Sequence, residues 1–248
     1  MTFDAHPRSS LIVALDFDSL TTALKFAGQV ADLVGMFKIG SQLFTSAGPD
    51  AVREVSKLGP GIFLDLKFHD IPNTVAGAVL ASAAMPGVQL VNVHALGGTA
   101  MLRAAAQAVS ASVPMGADRT RLLAVTILTS MDHKGTREVG IGGLPKTRAV
   151  KLAKLAQEAG VDGVVASVQE AKAIRKACGP DFLIVTPGVR PKDKTVGNAK
   201  DDQTRTATPR EAIKAGADFM VVGRPILAAA DPRAAIEDVV NEIAAAKS

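Results

Sequence analysis

Eight short apolar runs, spaced along the chain and separated by helix-like stretches, constrain this sequence more than any other feature. The runs are LIVALDF (11–17), MFKIG (36–40), GIFLDLKF (61–68), VQLVNVH (88–94), RLLAVTILT (121–129), GVVAS (163–167), FLIVTPG (182–188) and FMVVGRP (219–225). They are continuous and β-branched rather than alternating, as parallel strands covered on both faces must be. Between them lie Ala-, Leu-, Glu- and Lys-rich segments such as RAVKLAKLAQEAG (148–160) and VQEAKAIRKACG (168–179), whose closing glycines fit helix C-termini. Thr208, Pro209 and Glu211 spell a capping box with proline at the first helical position, and Asp231–Pro232 opens a last helix in the same way. Eight such repeats in 248 residues leave a closed barrel or a doubly wound open sheet. No G-x-G-x-x-G follows the first run, so the expected fold is α/β, a (β/α)₈ TIM barrel in one domain. That domain spans 1–248, with a core over about 11–245.

Composition narrows the function. The single cysteine, Cys178, excludes an intramolecular disulfide and is read as a packing residue. The N-terminal MTFDAHPRSS lacks the pattern of a secretory signal, and no apolar run reaches the length of a membrane span, so a cytoplasmic protein is expected. The net charge is +4, without a basic block, and neither Trp nor Tyr is present. That balance fits a small anionic substrate and argues against nucleic acid as a partner.

Ionisable residues fall where barrel strands should be dry. Active sites of such barrels gather at the C-terminal ends of strands. Here Asp16 closes the first run, Lys38 interrupts the second, and Asp65 and Lys67 end the third on one shared face, with Asp70 just beyond. Taken singly, each is equally a structural ion pair. Taken together, Lys38, Asp65, Lys67 and Asp70 form an array of two acids and two lysines, costly to desolvate and therefore a functional candidate. The glycines and arginines of PGVR (187–190) and GRP (223–225) stand where barrels bind phosphate, although Gly188 and Gly223 also suit plain tight turns. The polar segment KDKTVGNAKDDQTRTA (192–207) reads either as a disordered insertion or as a lid over the site, a loop of about 190–207. The four histidines, His6, His69, His94 and His133, have no metal-ligand spacing, and no metal or organic cofactor is expected.

DLKFHDIPNT (65–74) resembles the signature segment of the orotidine 5′-monophosphate decarboxylase family, bacterial type. ALD (14–16), FKIG (37–40), LTSMD (128–132), PGVRP (187–191), DDQTR (201–205) and VVGRPI (221–226) resemble that family's other blocks, in the same order. The ten-residue block is very specific; PGVRP and VVGRPI are shared with other phosphate-binding barrels. Leu96 and the lengthened charged loop depart from the pattern without touching a position assigned to chemistry. The resemblance implies decarboxylation of orotidine 5′-monophosphate to UMP, the last step of de novo pyrimidine nucleotide synthesis. It implies Lys67 as the proton donor, Asp65 beside the substrate carboxylate, and Lys38 and Asp70 completing the array. It further implies Asp16 at the ribose, Thr129 (with Ser130 beside it) at the pyrimidine, Gln203 bridging base and phosphate, and Arg190, Gly223 and Arg224 at the phosphate. Asp70, Ile71 and Thr74 would bind substrate too, with Asp70 and Thr74 reaching across a homodimer. Two other readings compete: a magnesium-dependent barrel lyase acting on sugar phosphates, which shares D-x-K-x-x-D, and a catalytically dead barrel that only binds nucleotides. HDIPNT and Gln203 oppose the first, and the cost of burying Lys38, Asp65, Lys67 and Asp70 opposes the second.

Overall fold

The computed structural model describes residues 6–112, 119–191 and 206–247. Eight parallel strands close into a barrel in chain order: β1 (Leu11–Ala14), β2 (Met36–Gly40), β3 (Gly61–Phe68), β4 (Val88–His94), β5 (Arg121–Val125), β6 (Gly163–Val165), β7 (Leu183–Thr186) and β8 (Phe219–Val222). β8 pairs back onto β1, with Ile12 beside Val221. Among the described residues the intervening helices are α1 (Leu20–Val30), α2 (Ser41–Ala47), α3 (Pro49–Ser56), α4 (Pro72–Ala83), α5 (Gly98–Ala111), α6 (His133–Glu138), α7 (Pro145–Glu158), α8 (Val168–Cys178), α9 (Pro209–Lys214), α10 (Arg224–Leu227) and α11 (Pro232–Lys247). This is the expected (β/α)₈ barrel.

Strand alternation sorts the apolar residues into two cores. Inward positions such as Ile12, Met36, Phe63, Leu90, Leu123 and Phe219 fill the barrel interior. Outward neighbours such as Val13, Phe37, Ile62, Val91 and Ile184 pack against the helices through Ala27, Val79, Leu102 and Ile174. Because both faces are covered, every second residue cannot be polar, which is why the runs read as continuous. Phe37, Phe63 and Phe219 are essentially fully buried; each contributes about 1.5–3 kcal/mol by area burial alone.

The helix signals correspond to real ends. Thr208 and Glu211 form a reciprocal capping box at the start of α9, and the Asp231 carboxylate accepts from the Ala234 amide at 3.1 Å where α11 begins. Gly160 and Gly179 follow α7 and α8 at positive φ, where a Cβ would be strained. A second capping box, Ser167 with Glu170 at the start of α8, stands in the sequence as S-x-x-E and has the same basis. Cys178 is buried at the end of α8, and burial pushes its thiol pKa up. No described helix is long and apolar enough to cross a membrane.

Candidate active site

The inward positions become polar at the C-terminal mouth. On β2 Met36 is followed two residues on by Lys38, on β3 Phe63 by Asp65, on β4 Leu90 by Asn92, and beyond β1 Ala14 is followed by Asp16. Alternation alone therefore delivers a polar layer above an apolar one. The Lys38 ammonium lies 3.0 Å from Asp16 Oδ1 and 3.5 Å from Asp65 Oδ2. The Lys67 ammonium lies 2.6 Å from Asp65 Oδ1. Asp65 is thus the hub of an Asp16–Lys38–Asp65–Lys67 chain of alternating charge.

Burial alone would raise the Asp65 pKa, but the charges of Lys38 and Lys67, with hydrogen bonds from Lys67 and Asn92, outweigh it and hold the carboxylate below its ordinary range. Burial likewise opposes charge on Lys38, and the Asp65 and Asp16 carboxylates overcome it, raising the Lys38 pKa. Lys38 and Asp65 are accordingly held in their charged forms, and buried charges of this kind are stable only because each is paired.

β3 does not run straight through the site. Its pairing with β4 jumps from Leu64 opposite Val91 to Phe68 opposite Val93, so four steps on β3 span two on β4. Lys67, inside this bulge, has φ +53° and is the only non-glycine residue at positive φ among the described residues. The Lys67 backbone N–H donates to Asn92 Oδ1 at 2.8 Å, and Asn92 Nδ2 donates to Asp65 Oδ1 at 2.6 Å. Sequence reasoning did not single out Asn92. Its one signal is an amide at an inward position within the otherwise apolar VQLVNVH.

The remaining candidates divide into those the chain gathers and those it does not. Asp16, Lys38, Asp65, Lys67, Thr129, Arg190, Gly223 and Arg224 line one cavity of about 540 Å³ at the barrel mouth. Thr129 and Ser130 both face it, Thr129 buried and Ser130 exposed. Gly188 sits at φ +76° and its carbonyl accepts from the Ala207 amide at 3.3 Å, while the Arg190 amide donates to the Ala207 carbonyl at 2.9 Å. Residues 188–190 are therefore fastened to residue 207. Gln203 and most of the 190–207 loop lie outside the described residues. Asp70, Ile71 and Thr74 are exposed and do not line the cavity; Asp70 Oδ1 accepts from the Ile71 amide at 2.6 Å. Within one chain, then, the second acid beside the lysines is Asp16, not Asp70.

The histidines gather no ligand set, and among the described residues no group of three or more His, Cys, Asp or Glu side chains converges to hold a metal ion. His69 and His94 approach each other, ring centroids 5.5 Å apart. His94 Nδ1 is buried with no hydrogen-bond partner among the described residues. Burial, then the neighbouring His69 and Lys67, lower the His94 pKa against a weaker opposing pull from Asp65.

Fold and site together define a (β/α)₈ barrel of the enzyme type, with a charged cavity at the C-terminal ends of its strands. Residues 9–239 match the model of the orotidine 5′-phosphate decarboxylase / HUMPS family, and the chain belongs to that family. A protein of Trichlorobacter lovleyi named orotidine 5′-phosphate decarboxylase is 55% identical over 245 residues, covering 99% of each chain. One of the same name from Pelobacter propionicus is 53% identical over 238 residues, covering 96% of each. The crystal structure of orotidine 5′-phosphate decarboxylase from Lactobacillus acidophilus superimposes with a TM-score of 0.80 at 39% identity, covering 94% of this chain and 98% of the other.

Proposed function

We propose that this chain is a cytoplasmic carboxy-lyase that converts orotidine 5′-monophosphate to UMP and CO₂, acting as a single catalytic domain and needing no metal or cofactor. The observation that carries the reading is the ion-paired Lys38–Asp65–Lys67 cluster at the mouth of the barrel, in a cavity that Arg190 and Arg224 also line. Family membership and the names of the relatives support it.

The chemistry follows from where charge develops. The bond between the ring carbon and its carboxylate breaks, the electron pair stays on the carbon, and CO₂ departs. That carbon has no conjugated acceptor, so stabilisation must come from a fixed opposite charge nearby. The Lys67 ammonium, held 2.6 Å from Asp65, supplies that charge and then transfers its proton to the carbanion, leaving a neutral amine that solvent reprotonates. Asp65, held ionised by two lysines, faces the departing carboxylate. Asp16 holds the ribose, Lys38 ties Asp16 to Asp65, Thr129 contacts the pyrimidine, and Arg190, Gly223 and Arg224 take the phosphate, with Gln203 spanning base and phosphate. Binding energy from that remote phosphate organises the charged end.

Asp70 and Thr74 complete the site of a second copy in a homodimer, with Ile71 a further substrate-binding residue of the same segment. Ile71 is 66% exposed, and Leu96, Val139 and Leu144, on segments that follow β4 and β5, are exposed large apolar side chains as well. Covering Ile71 with a second copy would remove that apolar side chain from water. The direct test is to mix the protein with orotidine 5′-monophosphate in excess chelator and follow the ultraviolet change to UMP. Turnover is expected; turnover only of a sugar phosphate, or only with added magnesium, would overturn the reading.

A further inference from the structure

We propose that Asn92 is a positioning residue, the buried amide that holds β3 in its bulge and so aims both Lys67 and Asp65 at the reacting centre. The inference rests on the decarboxylase reading above and adds to it a residue that does not line the cavity. Asn92 is fully buried among inward apolar neighbours. A buried amide is tolerated only where it is hydrogen-bonded. Both side-chain hydrogen bonds of Asn92 go to the charge array: Nδ2 to Asp65 Oδ1 at 2.6 Å, and Oδ1 from the Lys67 backbone N–H at 2.8 Å.

Each bond solves a specific problem. Where the pairing skips from Leu64–Val91 to Phe68–Val93, Lys67 loses the ladder carbonyl that a regular strand would offer, and the Asn92 side-chain carbonyl stands in for it. A left-handed conformation costs a non-glycine residue about 1–2 kcal/mol, so β3 would relax toward a regular strand unless something held Lys67 at φ +53°. The second bond fixes the Asp65 carboxylate. Asp65 Oδ1 takes the Asn92 amide together with Lys67, while Oδ2 faces Lys38 at 3.5 Å. Without Asn92 the carboxyl plane is free to turn, and the one-oxygen-per-lysine arrangement has no fixed orientation. Asn92 therefore touches no substrate in this arrangement and acts through two groups that do.

Two substitutions separate this role from simple filling of the core. Asn92→Leu keeps the volume and removes both hydrogen bonds. It is expected to lower kcat by about 10²-fold, the scale of a misplaced catalytic group, while KM and UMP affinity by calorimetry stay within about threefold. Asn92→Asp keeps an acceptor for the Lys67 amide but puts a second carboxylate against Asp65. Its kcat relative to wild type is expected to be low at about pH 8 and to recover as pH falls toward about 5, because the protonated carboxyl donates again as the amide did. This variant also carries the test if Asn92→Leu does not fold. Wild-type kcat in both variants, a loss shared equally by kcat and UMP affinity, or a pH-independent ratio for Asn92→Asp would overturn the proposal. Absence of turnover in the wild-type enzyme would instead overturn the decarboxylase reading.

Discussion

Replacing Asp65 by Asn removes the charge that two lysines share and leaves the side-chain volume almost unchanged. Lys38 keeps Asp16 at 3.0 Å, so it is not stranded. Lys67 loses its ion pair with Asp65, the only one it makes among the described residues, but its side chain is 35% exposed, so water recovers part of the loss. Removing one member of a buried pair costs about 3–5 kcal/mol; the spare carboxylate and the exposure bring the expected cost to about 2 kcal/mol. For a chain of this size each kcal/mol moves Tm by about 2–4 °C, so a drop of about 4–8 °C at neutral pH is expected. The sign of the pH dependence is fixed by the lowered Asp65 pKa. As pH falls, the unfolded chain protonates this group first, near its ordinary value of about 3.9. The stabilisation is therefore complete above that pH and disappears as pH falls through the lower folded value. Calorimetric melts from about pH 8 to about pH 3 should show a constant gap between wild type and Asp65→Asn that closes only below about pH 4. Equal Tm values at neutral pH, or a gap that persists unchanged to the acid limit, would refute the charge-hub argument.

Arg224→Ala is expected to depress kcat/KM by about 10–100-fold, the scale of one charge-assisted contact. Phosphite dianion should restore part of the wild-type rate on a substrate lacking its phosphate and do much less for the variant; indifference to both changes would remove the phosphate argument. Gly188→Ala, at φ +76°, should cost about 1–2 kcal/mol in thermal melts. Gly223→Ala, where a Cβ would meet Ala14 Cβ at 3.4 Å and Asp16 Oδ2 at 3.6 Å in ordinary contact, should leave Tm nearly unchanged; the reverse ranking would contradict the backbone reading. His94, whose pKa is lowered, stabilises the neutral fold above about pH 6.5, and that contribution fades as pH falls through its folded value. The Tm difference between wild type and His94→Gln should thus narrow from about pH 7 to about pH 5, and a constant difference would show that His94 does not titrate differently on folding.

The barrel was legible because its evidence is local and repeated: each β-branched run carries its own strand, and all eight occur. What local pattern overstated was strand length. The runs at 11–17, 121–129, 182–188 and 219–225 end as strands at Ala14, Val125, Thr186 and Val222, because past those residues the chain leaves the ladder to build the loops of the mouth. Lys38, Asp65 and Lys67 were legible for the opposite reason, as charges that break an apolar pattern. Asp16 reads from sequence as a lone acid near the ribose; only the barrel closure shows it paired with Lys38. The bulge at Lys67 was not legible, since it depends on Asn92, twenty-five residues away, and no property of the 61–68 segment alone demands it. Asp70 illustrates the remaining limit: its position in D-x-K-x-x-D is plain, but one chain leaves it exposed.

Lys67→Ala tests the central claim most directly, with turnover of orotidine 5′-monophosphate and binding of UMP measured on the same preparation. The account expects turnover to fall by at least about 10³-fold, or about 4 kcal/mol of barrier, while UMP still binds because Arg190, Arg224 and Thr129 are untouched. Turnover within about tenfold of wild type would contradict it, since no proton and no fixed positive charge would then be needed from that side chain.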